Sequence, residues 1–599
     1  MADLERADRG KKRWSWPVPM LALMVIGGLV VAMFRRPTQS LPVEGLSLRD
    51  VSDEVGIDFI HTDGATGERY IMETVASGLA LFDYDGDGLI DIYLLNGAPL
   101  GEPIDAGDRS DLSDTIDASD QRDSGERSGE LLTPAKAPRN ALYRNLGNWK
   151  FVDVTDQAGV GDPGYGLGVA VADFDNDGFP DIFVNNFGPN VLYRNNGDGT
   201  FTDIAMPAGV QGGDEVAGGA AFLDIDGDGH LDLYVTNYLE FAYDQHVNTT
   251  LSGVPAYASP KAFPPAQDRL YRNQGDGTFT DVTDSSGIAG HLGWGMGLVA
   301  GDFNRNGHTD IFVANDVCGN FLFLNDGTGR FAESGLLNGI AYDLYGSPQG
   351  SMGAEPTDFD NDGWLDIYQT SYQLQHGVLY RNRGEAQFED VTLTTGAGAG
   401  TYAQVTWGVG AIDFDNDGLR DLFVACGHLQ DRIAEYDRTT DYLAANVLLR
   451  NIGNRRFQDI STTAGNGLRV RQSSRGAAFD DLDNDGRIDS VISNSRAPAT
   501  VLRNESDDRK HWVQFRLVGT RANRDAVGSR VEVTCGELTQ VAEVHSGRGY
   551  QSHYGTRLHF GLGDQSRIDR LEIHWHGGET QVLENLPIDR LHTLIEPTP

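Results

Sequence analysis

Cysteine is scarce: Cys318, Cys426 and Cys535 are the only three in 599 residues, far apart and odd in number. No disulfide framework follows from them, and each reads as a small buried apolar residue. Basic residues are also few, 47 against 88 acidic ones, for a formal net charge of −41. A surface so short of positive charge is unsuited to nucleic acid, whose phosphates need a basic face. Helix-period patterns are rare. The local signatures of common catalysts are missing too, with no G-x-S-x-G, no H-E-x-x-H and no phosphate-binding glycine loop.

One long apolar run is present, from Trp16 to Phe34, broken only by Pro17 and Pro19 near its start. Arg6, Arg9, Lys11, Lys12 and Arg13 precede it, and Arg35 and Arg36 follow closely. The run is long enough to span a bilayer core, and the basic bias before it keeps the N-terminus cytoplasmic. This predicts a single-pass membrane protein: a basic tail (1–15), a signal anchor (16–36), a short linker (37–45) and a periplasmic or extracellular bulk. A secreted protein with a cleaved signal peptide is the alternative, although no clear A-x-A site follows the run.

What the chain has in plenty is glycine, at 75 residues, and aspartate in a fixed spacing. The loop Asp173-Phe-Asp175-Asn-Asp177-Gly178-Phe-Pro-Asp181 places carboxylates at positions 1, 3, 5 and 9, with glycine at 6. Carboxylates two residues apart converge on one hard cation if the chain curls, and glycine supplies the curl. Asp, Asn and Gly are also ordinary turn residues, so one copy would decide little. The loop recurs as Asp83, Asp85, Asp87 with Asp91 and as Asp224, Asp226, Asp228 with Asp232. It returns as Asp358, Asp360, Asp362 with Asp366, as Asp413, Asp415, Asp417 with Asp421, and as Asp481, Asp483, Asp485 with Asp489. A seventh copy is degenerate: Asp302, Asn304, Asn306 with Asp310. A plain turn has no evident reason to keep an aspartate at position 9 each time, which favours metal.

Strand patterns surround each loop. In residues 168–204 they are Gly168–Asp173, Asp181–Asn185, Asn190–Asn195 and Phe201–Ile204. The third recurs in Leu142-Tyr-Arg-Asn145, Leu270-Tyr-Arg-Asn273 and Leu379-Tyr-Arg-Asn382, and the fourth in Phe279-Thr-Asp-Val-Thr283. Four short strands repeated seven times predict a seven-bladed β-propeller over 46–506. The seventh unit stops after its third strand, near Asn504, and a spare fourth strand, Leu48-Arg-Asp-Val51, precedes the first loop. That strand is expected to complete the last blade and remove a free edge. Residues 100–138, rich in Asp, Ser, Gly and Arg, read as a disordered insert. A second insert, 239–267, contains Tyr243, Tyr257 and Phe263 and suits a lid or a ligand-facing loop. From 510 to 597 the alternation of Trp512–Val518, Ser529–Val533, Leu538–Val544 and Arg570–Trp575 predicts a small β-sandwich. The fold class is therefore all-β, a propeller with a C-terminal β domain and one N-terminal transmembrane helix.

The D-x-D-x-D-G loops with apolar flanks resemble the FG-GAP repeats of integrin α-subunit propellers. Gly547-Arg-Gly-Tyr-Gln-Ser552, His559-Phe-Gly-Leu-Gly563 and Leu571-Glu-Ile-His-Trp575 resemble the ASPIC/UnbV domain. Together they are similar to the cartilage acidic protein family and its bacterial relatives. Trp575-His576-Gly577-Gly578 departs from the more usual Trp-Pro-Ser-Gly of that domain. The resemblance implies several Ca²⁺ ions, up to seven, held by side chains at positions 1, 3, 5 and 9 and the carbonyl at 7. The carbonyls are those of Leu89, Phe179, His230, His308, Trp364, Leu419 and Arg487. Asn304 and Asn306 leave the fourth loop two carboxylates and make it the expected weakest site. The resemblance implies a calcium-binding propeller in an exported protein with no established catalysis; the leading functional reading is a membrane-anchored, extracytoplasmic binding or scaffold protein in which Ca²⁺ is structural, its partner a protein or a cell-surface glycan. The rival is a propeller enzyme, a hydrolase, lyase or glycan-acting catalyst, with a site on a propeller face or at His545, His553, His559, His574 and His576. His574 and His576 share one face of a strand pattern, which a transition metal or simply solvent could occupy.

Overall fold

The computed structural model describes residues 45–598, apart from 76, 102–136, 214 and 508. The basic tail, the apolar stretch 16–36 and nearly all of the 100–138 insert lie outside the described residues. Within them the chain is all-β, with helices of a single turn, such as Thr155–Ala158 and Ala205–Ala208. Each of these two stops at a glycine in the left-handed region, Gly159 (φ 76°) and Gly209 (φ 81°). The expectation of a single-pass membrane protein is corrected here: among the described residues no helix is long and apolar enough to cross a membrane. Glycine-rich turns and β-branched or aromatic runs leave no room for longer helices between the strands.

Among the described residues seven four-stranded antiparallel sheets follow one another before the C-terminal part. The second is typical, with Tyr165–Ala172, Asp181–Phe187, Val191–Asn195 and Phe201–Asp203 side by side in chain order. The first strands of the others are Leu79–Phe82, Glu215–Leu223, Gly295–Gly301, Ala354–Thr357, Thr406–Ile412 and Ser474–Asp480. Each packs against the first strand of the next sheet, and Ser474–Asp480 packs against Leu79–Phe82. The seventh sheet takes its fourth strand from the chain start, as its truncated repeat predicts. Leu48 pairs with Asn504, Arg49 with Arg503 and Asp50 with Leu502.

The acidic loops join first to second strands, so all seven lie at one end of the sheets. Position 2 of each loop is apolar and buried: Tyr84, Phe174, Ile225, Phe303, Phe359, Phe414 and Leu482. Phe174 shows why, with its ring 5.6 Å from that of Phe279 on the next sheet. These residues wedge between neighbouring sheets, and burying each contributes roughly 1.5–3 kcal/mol.

The C-terminal part forms two further sheets. One contains His511–Val518, Arg557–Gly563 and Leu591–Ile595; the other contains Arg530–Cys535, Leu538–Glu543, Ile568–His574 and Thr580–Leu586. Their alternating apolar residues, among them Val513, Phe515, Val531, Val533, Leu571 and Ile573, share one core with Phe174, Phe183 and Phe222. Gly45–Pro599 is accordingly one compact unit.

The segment His545–Tyr554 runs along the first strands of the sheets. Gly549 and Ala354 exchange both backbone hydrogen bonds, at 2.8 and 2.9 Å. Val169 donates to Gln551 O, Leu81 donates to His553 O, and the Ser546 hydroxyl donates to Val171 O at 2.6 Å. The Tyr554 hydroxyl oxygen lies 3.0 Å from Val409 O, and His545 Nδ1 lies 2.8 Å from Ala300 O. Gly547 is required: its φ is +84°, and a Cβ there would stand 2.0 Å from Ala220 O.

The second insert packs on the far ends of the sheets. Phe241 and Phe263 enter a core with Trp407 and Tyr550. The Tyr257 hydroxyl donates to Glu73 at 2.8 Å, and Tyr257 N donates to Gln430.

Candidate metal centres

Each acidic loop is a small hydrogen-bonded cage. The position-1 carboxylate accepts from the glycine N–H at position 6 in all seven copies, at 2.7–3.0 Å. Position 5 accepts from the N–H of position 7 at 2.9–3.1 Å, in the fourth loop through Asn306. These bonds fix the position-1 and position-5 side chains; carboxylates of positions 1, 3 and 9 converge in at least four of the loops, and position 5 does so at Asp417, beside Asp413 and Asp415. Glycine at position 6 takes φ between 82° and 100°, as at Gly178 and Gly229, where a side chain would be strained.

Position 9 has a structural duty that spacing alone did not reveal. One oxygen of Asp91, Asp181, Asp232, Asp310, Asp366, Asp421 and Asp489 accepts from the N–H of position 2, at 3.0–3.3 Å. The other accepts from the N–H of an asparagine ending the third strand, at 2.7–2.9 Å. A turn therefore does have a reason to keep aspartate there. The asparagines, Asn145, Asn195, Asn273, Asn325, Asn382, Asn451 and Asn504, reach further. Each Nδ2 donates to the position-2 carbonyl of the preceding sheet's loop at 2.8–3.0 Å, and Asn145 of the first sheet reaches Leu482 of the seventh.

Position 3 separates the cation reading from the turn reading. Its outer oxygen meets the arginine of the third strand: Arg144 with Asp85 at 2.7 Å, Arg194 with Asp175 at 2.9 Å, and Arg381 with Asp360 at 2.8 Å. Arg272, Arg450 and Arg503 repeat this with Asp226, Asp415 and Asp483. Among the described residues, the inner oxygen, Oδ1, of Asp226, Asp360 and Asp483 is buried without any hydrogen-bond partner, whereas that of Asp415 has Lys510 Nζ at 3.3 Å. A buried carboxylate oxygen with no donor is costly. Three of them at the same loop position, with other carboxylates beside them, fit a divalent cation. In at least five loops three carboxylate oxygens lie within 4.8 Å of one another, as in Asp173, Asp175 and Asp181, so several Asp-rich groups could hold a metal ion. The fourth loop breaks the pattern on both sides, because Leu324 stands where the arginine would and Asn304 and Asn306 replace its partners. That paired change was a readable signal for the arginine's role.

Burial dominates the titration of these acids. It pushes Asp91 and Asp310 up to about 8 and Asp173, Asp358 and Asp481 up to about 7. Asp181, Asp232, Asp366, Asp421 and Asp489 are held well above the ordinary carboxylate range by the same cause. Without a cation these groups keep protons into the neutral range.

The C-terminal sheets cover the loops. Asp525 accepts from Asp173 N at 2.7 Å, Glu543 accepts from Asp302 N at 3.2 Å, and Gln514 donates to Asp481 at 3.1 Å. Lys510 lies 3.3 Å from Asp415. Trp512 presses on the seventh loop so closely that a Cβ on Gly486 would stand 1.9 Å from its ring. The five histidines of the rival enzyme reading do not meet at one site, though His545 and His559 line one cavity and His574 and His576 another. His545 meets Ala300, His553 accepts from Gly547 N, His559 meets Asn416 at 2.7 Å and His574 meets Thr580. His576, expected to share a solvated face with His574, is instead buried, 3.9 Å from Asp224.

A family model described as FG-GAP-like repeat matches residues 132–184, 173–235, 261–313, 302–369, 358–424 and 413–492. A second, described as ASPIC and UnbV, matches residues 519–599. Human cartilage acidic protein 1 is 25% identical over 382 residues, which is 63% of this chain and 52% of that protein. The Xenopus tropicalis protein of the same name is 24% identical over 368 residues, 60% of this chain and 51% of the other. The chain thus spans about half the length of the curated relatives it matches. Among solved structures, the BP39L lectin from Burkholderia pseudomallei aligns with 72% of this chain and 97% of its own, at 9% identity and a TM-score of 0.40.

Proposed function

Because the chain belongs to the FG-GAP-like repeat family and carries a C-terminal ASPIC and UnbV domain, we propose that it is a Ca²⁺-loaded interaction protein. Its seven sheets are the blades of a seven-bladed propeller, and its surface is offered to a partner protein or glycan. The aspartates at positions 1, 3, 5 and 9 and the carbonyl at 7 are the Ca²⁺ ligands. The ion is structural. It neutralises carboxylates that the fold crowds together, and each site adds about 1.4 kcal/mol at tenfold excess over Kd. Over several sites that is a large share of a stability of ~5–15 kcal/mol.

The observation that carries the reading is the set of orphaned inner oxygens of Asp226, Asp360 and Asp483. An arginine already serves the outer oxygen, so the inner one is left for a cation. Thermal unfolding in chelator and in millimolar Ca²⁺ tests it. A clear rise in Tm with Ca²⁺ is expected; identical melting curves would end the proposal.

A further inference from the structure

The connection from the fourth sheet to the fifth, residues 334–353, is longer than its counterparts 154–164 and 204–214. It turns large apolar side chains into water. Leu344 is 58% exposed and Tyr345 77%. Beside them stand Leu374 at 60% and Tyr402 at 49%. With His376 these side chains line a groove of about 330 Å³. The loops around it follow second and fourth strands, so the groove lies at the end of the sheets away from the acidic loops and the C-terminal domain.

This exposure is held in place by specific bonds. Asp343 accepts from Tyr345 N at 3.0 Å, from Ser347 N at 2.8 Å and from Gln349 Nε2 at 2.8 Å. Asp390 accepts from Leu344 N at 2.9 Å. Leu374 sits at φ 65°, a left-handed conformation unusual for a leucine, and donates to Tyr402 O at 2.8 Å. The His376 and Tyr402 rings form one wall, with centroids 4.9 Å apart. A contiguous apolar patch kept rigid and wet marks an interaction site, and tyrosines in a pocket are favoured anchors.

Charge selects the occupant. Asp343 and Asp390 line the groove, and among the described residues no lysine or arginine does. A second copy of this chain, with a formal net charge of −41 before any cation binds, would bring a second acidic surface against that rim. We propose that the groove docks a segment of a partner protein that presents large apolar side chains flanked by lysine or arginine. The inference rests on the interaction-protein reading above and narrows it to one face and one partner chemistry.

The test uses the whole chain in Ca²⁺, as wild type and as the Leu344→Ser, Tyr345→Ser double variant. Both side chains are exposed, so the two proteins should melt alike. Each is used to select from a phage-displayed library of random peptides. Expected are sequences enriched on the wild type alone, apolar with basic flanks. A synthetic peptide of that sequence should bind at least tenfold more weakly to the variant and lose affinity as salt rises. Selection of the same sequences by both proteins, of none, or of acid-flanked sequences would overturn the proposal. So would a neutral oligosaccharide, or a second copy of the chain, bound by the wild type and not by the variant. A Ca²⁺-dependent rise in Tm for both proteins alongside failed selection would sink this inference and leave the Ca²⁺ reading standing.

Discussion

Arg548 holds its Nε 3.1 Å from Glu355 Oε2, and the Glu355 side chain is wholly out of solvent. The Tyr554 hydroxyl donates to the same oxygen at 2.9 Å. Arg548 belongs to the C-terminal segment and Glu355 to the first strand of the fifth sheet, so this pair fastens one to the other. Glu355→Ala would leave the guanidinium buried and unpaired, at a cost of ~3–5 kcal/mol. Replacing both with apolar residues, as Glu355→Leu with Arg548→Met, should cost much less than Glu355→Ala. Urea unfolding of the two variants checks the order, and equal losses would show that the pair does not act as a unit.

The asparagine that ends each third strand is expected to be a structural hot spot. Asn382 is fully buried, and its Nδ2 donates to Phe303 O at 2.8 Å and to Leu365 O at 3.1 Å. Asn382→Ala strands both carbonyls and should cost ~2–3 kcal/mol. Asn196 is one residue past the equivalent position and exposed, and its replacement by alanine should stay within ~0.5 kcal/mol. Chemical denaturation of both variants decides this, and similar losses would contradict the staple role.

Much of this was legible from residue spacing, and the rest was not for definable reasons. The seven loops, the four strands around each and the borrowed strand Leu48–Asp50 all announce themselves as local patterns. The partners of those patterns do not. Leu-Tyr-Arg-Asn repeats are visible, but that arginine pairs with position 3 and that asparagine reaches back to the preceding sheet are facts of three-dimensional neighbourhood. Tyr550, whose hydroxyl donates to Val75 O at 2.8 Å, is 475 positions from its acceptor. The histidines misled because alternation along one strand places His574 and His576 together, while the turn after His574 carries His576 into contact with the third acidic loop.

Acid should loosen the joint between the C-terminal segment and the sheets. Burial lowers His545, His553 and His559 to about 3, against 6.5 for an ordinary imidazole. Between those values the unfolded chain binds more protons than the native one, so stability is present above pH ~6.5 and is lost as pH falls toward 3. Buried Glu543, pushed up to about 8, and Asp268, pushed up to about 7, act in the opposite sense, so the histidine effect is read as a difference between two proteins. In saturating Ca²⁺ the urea midpoint of the wild type should fall from pH 7 to 4.5 relative to that of His553→Gln. Midpoints that run parallel across this window would count against a buried neutral His553.

Equilibrium dialysis of the whole chain against radioactive Ca²⁺ tests the cation reading of the acidic loops most directly. Several ions per chain, up to seven, are predicted, with one fewer after Asp226→Ala and little change after Asp302→Ala in the degenerate fourth loop. No bound Ca²⁺ at millimolar concentration, or a count unmoved by Asp226→Ala, would contradict it.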